Sequence, residues 1–162
     1  MSITPQRGGL IIFFSFVAAL VLTLLPLPEW ARPFRPPWHT LVLIYWCLAL
    51  PQRVGVGIGW LLGIVMDVTT NTLLGQHAMA LAVVAFIAVK LHRQTRLFPL
   101  WQQAAGVLML LLLEQALTTL VMGAIHRPPP VLADWAPALT GMLLWPWVYI
   151  ILRDLRRRFK VS

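Results

Sequence analysis

The apolar residues of this chain fall in long runs, and the interruptions between them are short and rich in proline and arginine. The runs predict helices over about residues 9–26, 36–50, 54–71, 73–91, 100–125 and 132–152. The interruptions account for where each stops. "PLPEWARPFRPP" separates the first two, "PQR" at 51–53 makes a tight turn before the third, "KLHRQTRLFP" parts the fourth from the fifth, and "HRPPP" the fifth from the sixth. Proline lacks a backbone donor and disfavours helix in the residue before it, so these stretches read as loops. The second helix is short. It approaches a full span only with Pro36 and Pro37 in its first turn, where proline is tolerated. A re-entrant segment over 36–50 is the alternative.

Composition decides which solvent these helices face. Hydrophobic residues make up 59% of the 162 positions and charged residues 11%, whereas a soluble domain carries about 25% charged residues. Mean hydropathy is +0.79. A bilayer-spanning helix takes about 20 mostly apolar residues, so six use about 120 and leave about 40 for loops and tails. The chain therefore reads as one polytopic, all-α integral membrane domain over 1–162 with six transmembrane helices. The first run, "GGLIIFFSFVAALVLTLL", follows a lone Arg7. It is too long for a signal-peptide core, lacks a small-x-small site at its end and is followed by further spans, so it reads as an uncleaved first helix.

Charge sets the orientation. With the N-terminus inside, the cytoplasmic segments hold Arg7, Arg53, Lys90, Arg93, Arg96, Arg153, Arg156, Arg157, Arg158 and Lys160, and the outer loops hold Arg32, Arg35 and Arg127. Lys and Arg concentrate in cytoplasmic loops, so both termini are expected inside. The net charge of +8 is on this reading mostly a topology signal. The basic tail over 153–162, "RDLRRRFK" and beyond, directly follows a span, which makes anionic lipid headgroups its nearer partner and nucleic acid none. Trp30, Trp38 and Trp135 fall at the outer interface and Trp101 at the inner one, where indole rings are common in any multispan protein.

Within the third helix, "GVGIGWLLGIVMD" carries Gly55, Gly59 and Gly63 at steps of four, and the next step lands on Asp67. Small residues let helix backbones approach in lipid, where the hydrophobic effect between helices is lost. The strip has two readings: packing within the chain, or a groove for a partner's helix. At 1.5 Å of rise per residue, Asp67 stands about 21 Å above Arg53, and Glu114 about 20 Å above Trp101, in the outer third of a core about 30 Å thick. His77 and Thr140 fall at similar depth. The sequence thus proposes an intramembrane polar layer of Asp67, His77, Glu114, Gln115 and Thr140, with Gln76 nearby. Carboxylates facing lipid are costly, so these groups should turn inward and pair, or be protonated. The layer can serve as structural glue, as a binding site for a polar group, or as a proton relay.

Other chemistry is scarce. Cys47 is the only cysteine, which excludes an internal disulfide and a cysteine metal cluster and leaves a small buried hydrophobe. No pair of ligands has the helical spacing of a metal cage, and no phosphate loop, nucleophile elbow or Ser-His-Asp pattern is present. No catalytic, cofactor or metal residue is assigned. "WPW" at 145–147 puts a proline inside the sixth helix, where a kink is expected.

"FRPPWHTLVLIYWCLALPQRVGVGIGWLLGIVMDVTTNTLLG", followed by "LWQQA" and "LLWPW", resembles the MreD family of rod shape-determining proteins of Gram-negative bacteria. The likeness runs over residues 9 to 160 and is strongest from 34 to 75, where an "FRP-x-W" lead-in, an "LP-x-R-V" turn and the "G-x-x-x-D" run stand in order. The resemblance implies a multi-pass protein of the inner membrane without catalysis. It also implies a scaffold that acts with MreC directly, with the actin-like MreB, and with the SEDS glycosyltransferase and class B penicillin-binding protein of wall elongation. The fold of the family is sometimes likened to the six-helix substrate-binding subunits of vitamin transporters. In two places the chain departs from the family: "TTNT" follows where a small Ser/Gly pair is frequent, and Glu114 stands where many relatives carry Asp. The rival expectation is a transporter-like subunit that binds a small molecule. It requires an open, polar, outward-facing pocket around Asp67 and an ATPase partner on the inner face.

Overall fold

The computed structural model describes residues 4–24, 38–50, 54–69, 75–124 and 136–158. Among these there are seven helices and no strand: α1 Thr4–Leu24, α2 Trp38–Ala49, α3 Val56–Thr69, α4 Gln76–Lys90, α5 His92–Arg96, α6 Leu100–Ala124 and α7 Ala136–Arg158. Trp30, Arg32, Arg35, Pro36, Pro37, Arg53, Arg127, Trp135 and Lys160, on which parts of the expected topology rest, lie outside the described residues.

Three differences from the expected elements have local causes. The first helix begins at Thr4 rather than near residue 9. The expected loop after the fourth helix contains α5. The chain bends at Leu91, whose amide donates to the Ile87 carbonyl (3.0 Å), and resumes a short helix that closes in a turn at Leu97 and Phe98, just before Pro99, a residue that disfavours helix in the one before it. The last helix continues to Arg158, so Arg153 and Arg156–Arg158 are helical rather than part of a tail beyond the helix. Cations in a final turn are favoured there by the negative end of the helix dipole. Pro146 sits inside α7 without ending it. Of its flanking tryptophans, Trp145 is fully buried while Trp147 is 67% exposed.

The distribution of side chains is inverted relative to a water-soluble bundle. Large apolar residues stand exposed along α1, α3, α6 and α7, among them Phe13, Phe14, Leu61, Met109, Leu143 and Ile151. Asp67, Gln76, Gln103, Glu114, His39 and Thr40 are buried. Contiguous exposed apolar surface on this scale needs an apolar solvent. This is an all-α membrane protein. Leu100–Leu120 and Ala138–Arg158 are long and apolar enough to cross a membrane alone, and shorter apolar helices cover Gly9–Thr23, Trp38–Ala49, Val56–Thr69 and Gln76–Lys90.

The hub is α2. Every residue from His39 to Leu48 is buried, and α2 touches α1, α4, α5, α6 and α7. A helix apolar on all sides belongs in a bundle's interior. Its 12 residues extend only about 18 Å, less than a hydrocarbon core of about 30 Å, a mismatch that protein neighbours on every side make tolerable. Around it, α3 packs on α4 more extensively than any other pair, and α6 packs on α7 and α4. Trp46 donates from Nε1 to Ser15 Oγ (2.8 Å), tying α1 to the hub. Cys47 is buried and free.

Candidate functional site

The glycine strip of α3 is filled by α4. A Cβ on Gly63 would land on the backbone of Ala78 and 2.6 Å from the His77 carbonyl carbon, and one on Gly59 would lie 2.8 Å from the Leu81 carbonyl oxygen and 3.0 Å from Ala85 Cβ. Gly55 is less demanding, with Val89 Cγ2 at 3.8 Å as its nearest contact. Backbone-to-backbone contact at Gly59 and Gly63 thus belongs to a helix of the same chain, which leaves no opening for a partner helix along that part of the strip.

At the top of this contact Asp67 answers a need of α4. The first amides of any helix have no partner within it, and the residue before α4 is Gly75, in left-handed conformation (φ 100°), with no side chain to cap them. Asp67 reaches across from α3. Its Oδ2 accepts from the Gly75 amide (2.8 Å) and the Ala78 amide (3.4 Å), and its Oδ1 from the His77 amide (2.9 Å). His77 Nδ1 lies 2.8 Å from the same Oδ1. A carboxylate only accepts, so Nδ1 carries the proton. The positive end of the α4 dipole favours an anion here as well. Asp67 is 1% exposed.

A second cluster ties three other helices. Thr40 Oγ1 on α2 donates to Glu114 Oε2 on α6 (2.9 Å), and His39 Nε2 lies 3.8 Å from Glu114 Oε1. On its other side His39 Nδ1 is 3.4 Å from Thr23 Oγ1 of α1. The Thr23 hydroxyl already donates to the Ala19 carbonyl (2.8 Å), so His39 Nδ1 is the donor in that contact. His39 Nε2 finds no hydrogen-bond partner among the described residues.

The residues expected in one layer are therefore gathered in two groups, Asp67 with His77 and Glu114 with Thr40 and His39. Gln115 and Thr140 are half-buried, and the Gln115 carbonyl accepts from Thr118 Oγ1 (2.9 Å). Gln76 is buried in the first turn of α4, and neither end of its amide finds a hydrogen-bond partner among the described residues. Among the described residues no group of three or more His, Cys, Asp or Glu is placed to hold a metal.

At the opposite end of the bundle, Gln103 of "LWQQA" meets Trp145 of "LLWPW". The amide nitrogen of Gln103 donates to the carbonyls of Thr95 (3.1 Å) and Phe98 (3.2 Å), and its Oε1 accepts from Trp145 Nε1 (3.4 Å). This one side chain closes the α5–α6 turn and fastens it to α7. The sequence profile of the rod shape-determining protein MreD family matches residues 6–155. The chain belongs to the MreD family. The rod shape-determining protein MreD of Haemophilus influenzae (strain ATCC 51907 / DSM 11121 / KW20 / Rd) is 35% identical to it over 149 residues, which cover 90% of each chain. No solved structure gives a significant match. The stretch matched to MreD contains both polar clusters and the Gln103–Trp145 contact.

Sequence reasoning missed Thr23, His39 and Thr40 as site residues. A signal was available, because His39 and Thr40 are adjacent polar residues at the start of an otherwise apolar helix. It did not stand out because neither bears a formal charge, and because nothing in the sequence says that α2 lies at the centre of the bundle.

Proposed function

We propose that this protein is a non-catalytic membrane scaffold of the machinery that elongates the cell wall and sets rod shape. In this reading it is a six-helix, inner-membrane protein with both termini cytoplasmic. It binds MreC directly and links it to MreB and to the SEDS glycosyltransferase and class B penicillin-binding protein. Membership of the MreD family over nearly the whole chain carries the reading. The interior supports it, because the buried carboxylates of Asp67 and Glu114 are engaged in helix-to-helix ties. The open polar pocket that a small-molecule-binding subunit would need around Asp67 is not favoured, since both oxygens of that carboxylate are occupied by the first turn of α4. The glycine strip, the two polar clusters and the arginines of the α7 end are, in this reading, packing, fastening and lipid-facing elements respectively.

The test is co-purification in mild detergent of the tagged full chain with MreC and with MreB, alongside restoration of rod shape in cells lacking their own copy. Retention of MreC together with restored shape is the expected result. A chain that restores shape while binding neither protein would remove the scaffold reading, and a chain that instead retains an ATPase pair would replace it with the transport reading.

A further inference from the structure

Two cavities meet at the end of the bundle where α7 terminates. One, of about 260 Å³, lies between Tyr45 and Ala49 of α2, Thr95 of α5, Gln103 of α6, and Tyr149 and Arg156 of α7. The other, of about 620 Å³, is almost wholly apolar and runs between α2, α4 and α6, past Ile44, Ile87, Gly106 and Leu110. They share Leu48, Thr95 and Gln103 as common wall. A small polar chamber thus adjoins a longer apolar groove.

The polar chamber offers donors that the chain leaves unused. Tyr45 is 2% exposed and makes edge contacts with Trp46 (5.2 Å) and Tyr149 (5.6 Å), and no hydrogen bond from a described residue involves its hydroxyl. Arg156 lines the chamber itself, and behind it Arg153 lies over the Tyr149 ring at 5.7 Å, its buried Nε without a hydrogen-bond partner among the described residues. Among the described residues neither Arg153 nor Arg156 has a carboxylate within ion-pair distance. Gln103 is spent on the Thr95 and Phe98 carbonyls and on Trp145, so it shapes the wall rather than contacting a ligand. Guanidinium groups present planar forks of donors suited to phosphate oxygens, and a buried phenol adds one more donor. The apolar groove beside them takes no polar ligand but fits an acyl chain.

We propose that these adjoining cavities bind one phosphate-bearing lipid, its phosphate held by Arg156 and the Tyr45 hydroxyl, and one acyl chain laid along the α2–α4–α6 groove past Gly106. This is a discrete site, distinct from diffuse attraction between basic residues and an anionic surface. Placing it in the inner leaflet rests on the proposed orientation. Binding in detergent does not, so failure of the orientation and failure of the site are distinguishable.

The test is native mass spectrometry and a binding titration of the purified full chain in neutral detergent, with dioleoyl phosphatidylglycerol as ligand and phosphatidylcholine, dihexanoyl phosphatidylglycerol and inorganic phosphate as comparisons. One phosphatidylglycerol should bind per chain. Arg156→Gln and Tyr45→Phe should each weaken it, Arg156→Gln by about tenfold or more, while Arg158→Gln, which removes the same charge from the exposed end of the same helix, should leave it unchanged. A Cβ on Gly106 meets nothing within 4 Å, and Gly106 lines the groove, so Gly106→Leu places its side chain in that space. It should weaken the dioleoyl lipid by about tenfold and spare the dihexanoyl one. Tyr45→Phe keeps the ring packing and guards against a folding artefact. Equal losses in Arg156→Gln and Arg158→Gln would reduce the effect to bulk electrostatics and overturn the site. Inorganic phosphate competing as well as the lipid, with Gly106→Leu silent, would make it a site for free phosphate and overturn the lipid.

Discussion

A single methyl group is enough to probe the α3–α4 contact. In Gly63→Ala the added Cβ meets the Ala78 backbone, which has no flexible end to move aside. The loss should be about 3 kcal/mol, at the upper end for an overpacked site, measured as a drop in thermal stability in detergent. Gly57→Ala, six residues earlier in the first turn of α3 and facing open space, should be close to neutral; a comparable loss at both positions would mean that helix geometry rather than contact is responsible. Asp67 makes the complementary case. Asp67→Asn keeps an acceptor oxygen for the α4 amides, and Asp67→Leu keeps none, so Leu should be worse by about 1–3 kcal/mol for each amide left unpaired. Thermal unfolding of the pair reads this difference. If Asp67→Asn abolished rod-shape complementation while stability and MreC retention were intact, the carboxylate would be acting through its charge rather than as a cap. Both residues were legible in the sequence, because a run of glycines at steps of four ending in an acid has few explanations in an apolar helix. Of their contacts, His77 was a candidate partner for Asp67 from its depth alone, whereas the α4 amides were not, because backbone amides leave no mark in a sequence.

Between elements, the bond from Thr40 to Glu114 joins the hub helix to α6 and can be isolated by a double-mutant cycle. Thr40→Val, Glu114→Gln and the double variant, compared by unfolding in detergent, should give a coupling of about 0.6 kcal/mol and no more than about 1.7 kcal/mol, the range of interhelical polar contacts in membranes. A coupling near zero would place the stabilisation in the His39–Glu114 pair instead. The approximate positions of the long apolar helices were readable from apolar runs and prolines. The single polar layer was drawn from depth alone, and depth does not say which helices are neighbours. Asp67 and Glu114 stand at similar heights, yet one serves the α3–α4 hairpin and the other the α1–α2–α6 group. The short α5 escaped notice because a five-residue helix has too few turns to show a pattern, and the continuation of α7 to Arg158 because charged residues after an apolar run look like a departure from the helix.

For the molecule as a whole, the expected arrangement in the membrane can be tested in a Cys47→Ser background, since that buried cysteine is the only one. Pro33→Cys and Pro128→Cys, beside Arg32 and Arg127, should react with a membrane-impermeant maleimide added to intact spheroplasts, and Gln94→Cys, on exposed α5, should not; the reverse pattern would invert the protein. The central placement of α2 also bears on how the chain is made. Thr40 and its partner Glu114 are 74 positions apart, and a ribosome adds about 5–20 residues per second, so roughly 4–15 s pass between the synthesis of the two. Throughout that interval α2 is short for a span by itself and carries a threonine whose acceptor does not yet exist, and until α4 is made it has only α1 of the helices that will enclose it. Nascent α2 therefore has to be sheltered, by the insertion machinery or by α1 alone, until the second half of the protein arrives.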